Sequence, residues 1–203
     1  MNDLPAPQYD ALLELLSAGC RDAKTALSRM RREPIELSLA DVRLQARSEA
    51  VNRLVRRDAG LIYGVAQELD GALSGTALFV LPQEQGLELV QLLLGRRLQP
   101  NALSTLEQEA LLEIGNIVLC ALLAALSDKL DLPAPSALPT LYRGNAANLL
   151  ESSAPQDEAL SLRLSCHLKF HRVESDVLLL LDAPSCQRLR LQLERFVPPG
   201  ATS

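Results

Sequence analysis

The chain has 203 residues, of which 48% are hydrophobic and 22% charged, and its formal net charge is -5 at pH 7. This hydrophobic content is sufficient for a sizeable buried core and argues against extensive disorder. There is no run of basic residues and aromatic residues make up only 3%, so we exclude nucleic acid as a partner. The four cysteines lack a CxxC spacing and the N-terminus lacks a signal-peptide pattern, which predicts a cytoplasmic protein with free, buried thiols.

The sequence also argues against a membrane span and against a metal site of the protein's own. The most apolar segment, 114–126, is too short to cross a bilayer and is typical of a buried helix. His167 and His171 lie in an alternating, strand-like pattern. Four positions apart on one strand, they would be separated by about 13 Å, which is too far to share a metal ion.

The first half of the chain predicts a helix, an extended segment, a hairpin and a closing helix. Apolar residues recur at helical spacing, Asp70-Gly71 is a strong hairpin signal, and Gly95 is placed to end a helix. In chain order, the predicted segments are a long helix over 12–30, an extended segment over 35–44, strands over 60–69 and 74–81, and a helix over 83–95.

The second half predicts the same order of elements. Ser104 and Glu107 have the spacing of a capping box, which starts a long helix that runs to about Leu130. The segments that follow are an extended segment over 136–143, strands over 160–171 and 176–182 joined near 172–175, and a helix over 184–196.

A fixed offset relates the two halves. Glu113 lies 99 positions after Glu14, and the same offset relates Pro133 to Pro34 and one Ala-Leu-Ser tripeptide to another. We interpret this offset as an internal repeat. The chain is then a single domain over 1–203, with repeats at 5–98 and 102–197.

The repeated order predicts an α/β (α+β) fold with pseudo-two-fold symmetry. Two duplicated helix–strand–hairpin–helix halves would share antiparallel sheet, because hairpin connections are too short for parallel crossovers. The two long helices are expected to pair side by side on the exterior.

One face of the second long helix forms the candidate site. Glu109, Glu113 and Asn116 are spaced by four and three residues, so their side chains lie on one face of the helix. Gly115 beside them is predicted to let a partner approach the helix backbone closely. A glutamate and an asparagine on an exposed helix face are most often simply solvated, so spacing alone does not establish a site.

A longer pattern resembles the signature of the CheC/FliY/CheX family of chemotaxis phosphatases. That signature is Asp or Ser, three residues, Glu, two residues, Asn, then 22 residues and Pro, and Glu109, Glu113, Asn116 and Pro139 keep these spacings. Glu109 stands where Asp or Ser is usual. The resemblance covers nearly the whole chain.

The first long helix carries a degenerate copy of the pattern. Asp10 and Glu14 match it, but Ser17 replaces the asparagine and Ala40 occupies the proline position. Serine is shorter than asparagine and lacks its planar pair of donor and acceptor groups. We therefore predict that the first site is inactive or strongly weakened.

The resemblance implies a phosphatase that acts on the aspartyl phosphate of a CheY-type response regulator. By this resemblance, Asn116 orients the attacking water and Glu113 pairs with the regulator's lysine. In phosphoryl transfer a protein contributes mainly positioning and charge stabilisation, and a neutral carboxamide does not repel phosphate. The resemblance also implies no cofactor of the protein's own, because the regulator supplies Mg²⁺.

Two other functions remain open from the sequence. The first is a non-catalytic CheC-like adaptor that binds a response regulator or a CheD-type deamidase, which the loss of the first site favours. The second is a domain that forms a homodimer through its helices or an exposed strand edge.

Overall fold

Helices and strands alternate along the chain in the computed structural model, which describes residues 4–31, 34–57, 60–95, 103–133, 137–151, 158–168 and 170–197. The helices in these ranges are α1 (Ala6–Arg31), α2 (Arg47–Arg57), α3 (Gln83–Leu94), α4 (Thr105–Leu130), α5 (Ala146–Glu151) and α6 (Ala183–Phe196). The strands are β1 (Glu36–Ala46), β2 (Leu61–Leu69), β3 (Gly75–Pro82), β4 (Thr140–Asn145), β5 (Glu158–Leu168) and β6 (His171–Leu181).

The strands form one antiparallel sheet in the order β1-β5-β6-β3-β2-β4. Read outward from the centre, this order is β6-β5-β1 on one side and β3-β2-β4 on the other. The outer strands are exchanged between the halves, since β1 pairs with β5 and β4 pairs with β2, and β3 and β6 pair at the centre of the sheet. This confirms the predicted fold, whereas the repeat borders at 98 and 102 lie outside the described residues and stay a prediction.

The two long helices pack side by side over one face of the sheet. Gly19 of α1 lies so close to α4 that an added Cβ would be 3.0 Å from the backbone oxygen of Ala121 and from the Cα of Leu122. The main hydrophobic core lies between this helix layer and the sheet. A smaller core on the opposite face is covered by α2 and α5.

Local signals explain where several elements begin and end. The Glu107 carboxylate accepts a 2.7 Å hydrogen bond from the backbone N–H of Ser104, as the predicted capping box requires. Gly95 has a φ of 69° and ends α3 in the left-handed conformation that glycine adopts without strain. Strand β3 is buried on both faces, which explains its continuous apolar sequence.

Helix α4 combines a membrane-compatible length with a buried position. It is long and apolar enough to cross a membrane, but half of its most apolar window is buried. The buried residues face α1 and the sheet.

The β5–β6 hairpin differs from the prediction. Its reversal falls between Leu168 and His171, so the predicted turn over 172–175 lies within β6. In that segment Val173 and Ser175 are buried, whereas Arg172 is exposed, which is the alternation of a strand. The polar residues conceal this alternation in the sequence. His167 consequently faces Arg172 across the hairpin, and the two histidines lie on neighbouring strands instead of one.

Helices α2 and α5 were not predicted. Only Ala50 and Leu54 of α2 are buried, and the rest of its sequence is largely charged or polar. Two apolar residues are too few to establish a helical period. Helix α5 is shorter still, with six residues.

Candidate functional site

The structure places the predicted site residues of α4 at the junction between the helix and the sheet. Glu109 and Glu113 are exposed, whereas Asn116 is half-buried. The face predicted from the spacing therefore runs from open solvent toward strand β2. The carboxylates are available to a partner, and the amide lies where the fold can hold it.

Gly115 faces the sheet, so its predicted role in letting a partner approach was wrong. It is buried, and a Cβ at this position would lie 2.6 Å from Cγ2 of Val65 on β2. The absence of a side chain instead lets α4 approach β2 closely. That close approach brings the next residue, Asn116, to the neighbouring β2 side chain on the same face.

That neighbour is Gln67, which sequence reasoning missed. Its Nε2 donates a 2.8 Å hydrogen bond to Oδ1 of Asn116. Gln67 is only 2% exposed, and its own Oε1 has no hydrogen-bond partner among the described residues. A signal existed in the sequence: Tyr63, Val65 and Leu69 alternate along β2 as buried hydrophobic residues of the main core, and Gln67 interrupts that row.

The Asn116 amide has a defined orientation. Besides Gln67, the thiol of Cys120 one turn later donates to Oδ1 of Asn116, at a distance of 3.3 Å. A carbonyl oxygen has two lone pairs, so these two donors satisfy its capacity. Nδ2 makes no hydrogen bond to any described residue. The donor end of the amide is thus the end that a ligand would meet.

Pro139 adjoins the same place. The pairing of β2 with β4 ends at Ala66 and Thr140, and Gln67 and Pro139 are the next residues of the two segments. Proline has no N–H to donate to the ladder, and β4 accordingly begins at the next residue. Pro139 thus directly precedes the strand that pairs with β2, the strand that carries Gln67.

The degenerate first site has similar exposure but lacks this support. Asp10 and Glu14 are exposed and Ser17 is half-buried, like their counterparts on α4. Position 16, which corresponds to Gly115, is a fully buried leucine. Ser17 makes no side-chain hydrogen bond to a described residue. Ala40 lies within β1, at its register shift, instead of preceding a strand.

The cysteines are partly as predicted. All four are free thiols, and Cys20, Cys166 and Cys186 are buried, but Cys120 is exposed. Burial raises the pKa of Cys20 and Cys166 to about 11 and that of Cys186 to about 12. The described residues contain no group of three or more side chains suited to hold a metal ion.

Comparison with known proteins bears on the fold. No family model matches the chain. Thermotoga maritima FliY has a TM-score of 0.76 at 15% identity, covering 96% of this chain and 99% of its own. A FliG–FliM complex from H. pylori has a TM-score of 0.68 at 15% identity, and the match covers 91% of this chain and 100% of that chain. A CheX–CheY complex with BeF3 and Mg²⁺ from Borrelia burgdorferi has a TM-score of 0.53 at 14% identity, and the match covers 81% of this chain and 96% of that chain. The chain therefore has the fold of these structures, which confirms the CheC/FliY/CheX resemblance at the level of fold.

Proposed function

We propose that this protein hydrolyses the aspartyl phosphate of a CheY-type response regulator, through Glu113 and Asn116. One observation carries the proposal: Gln67 holds the half-buried Asn116 amide, whose Nδ2 bonds to no described residue, one helical turn from the exposed carboxylate of Glu113. A fixed neutral donor beside a free carboxylate suits a site that positions water on a phosphorylated partner.

The reaction needs little from this protein besides positioning. A water oxygen attacks phosphorus, the bond from phosphorus to the aspartyl oxygen breaks, and the carboxylate leaves. The regulator's aspartate leaves as a carboxylate, and the protons of the attacking water pass to the phosphate product or to solvent. Nδ2 of Asn116 donates a hydrogen bond to the attacking water, and the remaining lone pair of that water points at phosphorus.

Glu113 has a different task. Its exposed carboxylate pairs with the regulator's lysine and so fixes the partner relative to Asn116. Glu109, also exposed and one turn earlier, extends this acidic contact. Mg²⁺ belongs to the regulator in this scheme, and the reaction takes place in the cytoplasm. The CheX–CheY complex with BeF3 and Mg²⁺ supports a partner of this kind.

The test measures phosphate loss from phosphorylated regulators in the presence of Mg²⁺. Wild-type protein should accelerate this loss, and Asn116→Ala should abolish the acceleration, because alanine cannot hold the water. Ser17→Ala is the matched control, since Ser17 is half-buried at the corresponding position of α1 and should be dispensable. Unchanged thermal unfolding of both variants would show that they fold.

Two results would overturn the proposal. Wild-type protein that accelerates phosphate loss from none of several CheY-type regulators would leave no activity to explain. Equal rates for wild-type protein and Asn116→Ala would assign the activity to other residues.

A non-catalytic adaptor is the second candidate function. The FliG–FliM complex favours it, because a protein of this fold is held there in an assembly with another protein. An adaptor would bind a phosphorylated regulator, or a CheD-type deamidase, without changing the rate of phosphate loss. A homodimer is a further proposal: β1 and β4 form the edges of the sheet, and sedimentation at micromolar concentration would detect pairing through them.

A further inference from the structure

A polar cavity lies on the face of the sheet opposite Asn116. It has a volume of about 680 Å³, and α2, β1 and β5 supply its walls. Every described residue that lines it is charged or polar. These residues are Arg43, Arg53, Arg56, Arg57 and Arg163, with Asp41, Glu49 and Asn52.

We propose that this cavity, here called the arginine cavity, binds a small anion that carries two or more neighbouring phosphate groups. Five guanidinium groups face two carboxylates in its lining. The whole chain, by contrast, has a formal net charge of -5. The cavity is therefore a local concentration of positive charge that attracts anions. This proposal is independent of the phosphatase activity.

A buried carboxylate beneath the arginine cavity holds two of the arginines. Asp176 is 9% exposed, and its Oδ1 accepts a 3.0 Å hydrogen bond from Nη1 of Arg57. Nε of Arg163 lies 3.5 Å from the same oxygen. Fixing these long side chains before a ligand arrives lowers the entropy that binding costs.

Two further arginines are fixed by another set of contacts. Nη2 of Arg53 donates a 2.6 Å hydrogen bond to Oε1 of Gln45, a fully buried side chain whose Nε2 donates to Oγ of Ser161. Nε of Arg43 donates to Asp41 at 2.7 Å. A guanidinium has five N–H donors, so these contacts leave others for the cavity.

The second half provides an internal comparison. Its corresponding helix, α5, has the sequence AANLLE and contains no arginine. The fold thus builds a helix at this position without basic residues. The fold therefore does not require the arginines of α2, and binding of an anion accounts for their presence.

The lining determines the class of ligand. The described residues around the arginine cavity include no apolar or aromatic side chain that would hold a hydrophobic group. Guanidinium groups match phosphate through paired, parallel hydrogen bonds. A concave site of this volume suits a small ligand, since such sites typically measure about 300–1,000 Å³. We therefore favour a small phosphate compound over an acidic segment of another protein.

The test is titration calorimetry of the whole protein with inorganic pyrophosphate in low-chloride buffer. Wild-type protein should bind it saturably, and Arg56→Gln should weaken binding about tenfold, the loss expected for one charge-assisted contact. Arg56 is exposed and makes no ion pair to a described residue, so this variant should fold normally. Arg29→Gln is the control, because it removes the same charge from an exposed position on α1 outside the cavity.

A second variant separates paired hydrogen bonds from charge alone. Arg56→Lys keeps the charge but not the planar fork, so it should also weaken binding. Full binding by this variant, equal weakening by Arg29→Gln, or no saturable binding in wild-type protein would each overturn the proposal. Binding of a tetra-aspartate peptide as tightly as pyrophosphate would replace the phosphate compound with an acidic protein segment.

Discussion

The orientation of Asn116 depends on a residue from the other half of the chain. Gln67 donates to its Oδ1 from β2, and Cys120 donates to the same oxygen from the next turn of α4. An isolated asparagine on a helix would sample several rotamers, and only some of them would present Nδ2. We infer that Gln67 is a positioning residue in the proposed reaction.

Replacing Gln67 with leucine tests this inference. Gln67→Leu keeps much of the side-chain volume but removes the donor, so kcat should fall about tenfold or more while KM for the phosphorylated regulator changes little. Glu113→Ala is the contrasting variant and should mainly raise KM, because it removes a contact with the partner. An unchanged kcat for Gln67→Leu would show that Asn116 needs no support from β2.

Chemical labelling of Cys120 tests the proposed role of the neighbouring Asn116. At pH 7 a maleimide should modify Cys120 and spare the three buried cysteines, because burial shields them and raises their pKa to about 11 or 12. Those thiols lose their protons only as the pH approaches these values. Modification should block the proposed phosphatase activity, since the sulfur lies 3.3 Å from Oδ1 of Asn116. Cys120→Ser protein treated in the same way should keep its activity, and full activity after labelling of wild-type protein would contradict the prediction.

At the scale of single residues, the sequence predicts the helix face of the candidate site but not the residues that contact it. Spacing on one helix is sufficient to place Glu113 and Asn116 on one face, because the helical period is fixed. The contact with Gln67 joins residues 49 positions apart, and no local period encodes it. Gly115 was misinterpreted for a related reason: its spacing does not reveal that Val65 lies against it.

Among the elements, α4 and β2 set the geometry of the site through one glycine. Gly115→Ala would place a Cβ 2.6 Å from a Val65 methyl group. Overpacking of this kind costs about 1–3 kcal/mol, against roughly 1 kcal/mol recovered in helix propensity. We expect a lower free energy of unfolding and a lower kcat, because α4 must move away from Gln67.

Urea denaturation and the phosphatase assay would measure both effects. Gly60→Ala is the control, since nothing lies within 4 Å of an added Cβ there. In combination with Val65→Ala, Gly115→Ala should cost less than it does alone, and the double-mutant cycle should give a coupling of about 0.5 kcal/mol or more. Strict additivity would exclude the contact as the cause.

The elements differ in how far the sequence predicts them. The long helices and the first hairpin carry strong local signals: sustained apolar periodicity, a capping box at Ser104 and the Asp70-Gly71 turn. Helix α2 lacks such a signal because only two of its residues are buried. The β5–β6 reversal was misplaced because polar side chains at the end of a long hairpin resemble those of a turn.

At the scale of the whole molecule, three strand pairings join the halves: β3 with β6 at the centre of the sheet, and β1 with β5 and β4 with β2 toward its edges. Strands β3 and β6 pair over Gly75–Val80 and Asp176–Leu181, and both strands are largely buried. Separating the halves would break all three pairings, which would expose strand edges on both halves and one side of each long helix. Such edges promote aggregation.

Fragments 1–98 and 102–203 should therefore fail to fold alone. Circular dichroism should show little cooperative unfolding for either fragment, and sedimentation should show aggregates. Co-expression should restore a one-to-one complex with the proposed phosphatase activity, because the sheet and the Gln67–Asn116 contact form again. A monomeric, cooperatively unfolding single fragment would contradict this expectation.

The hydrogen bond between Gln67 and Asn116 also limits how a second site could arise on α1. The sheet relates β2 of the first half to β5 of the second, so an amide introduced by Ser17→Asn would need a matching donor on β5 (Glu158–Leu168), in the other half of the chain. Point mutation in one half is then insufficient for a gain of function. Conversely, a gene shortened to its second half would keep Asn116 and lose the side chain that orients it, so the proposed site needs the first half even though position 17 is a serine.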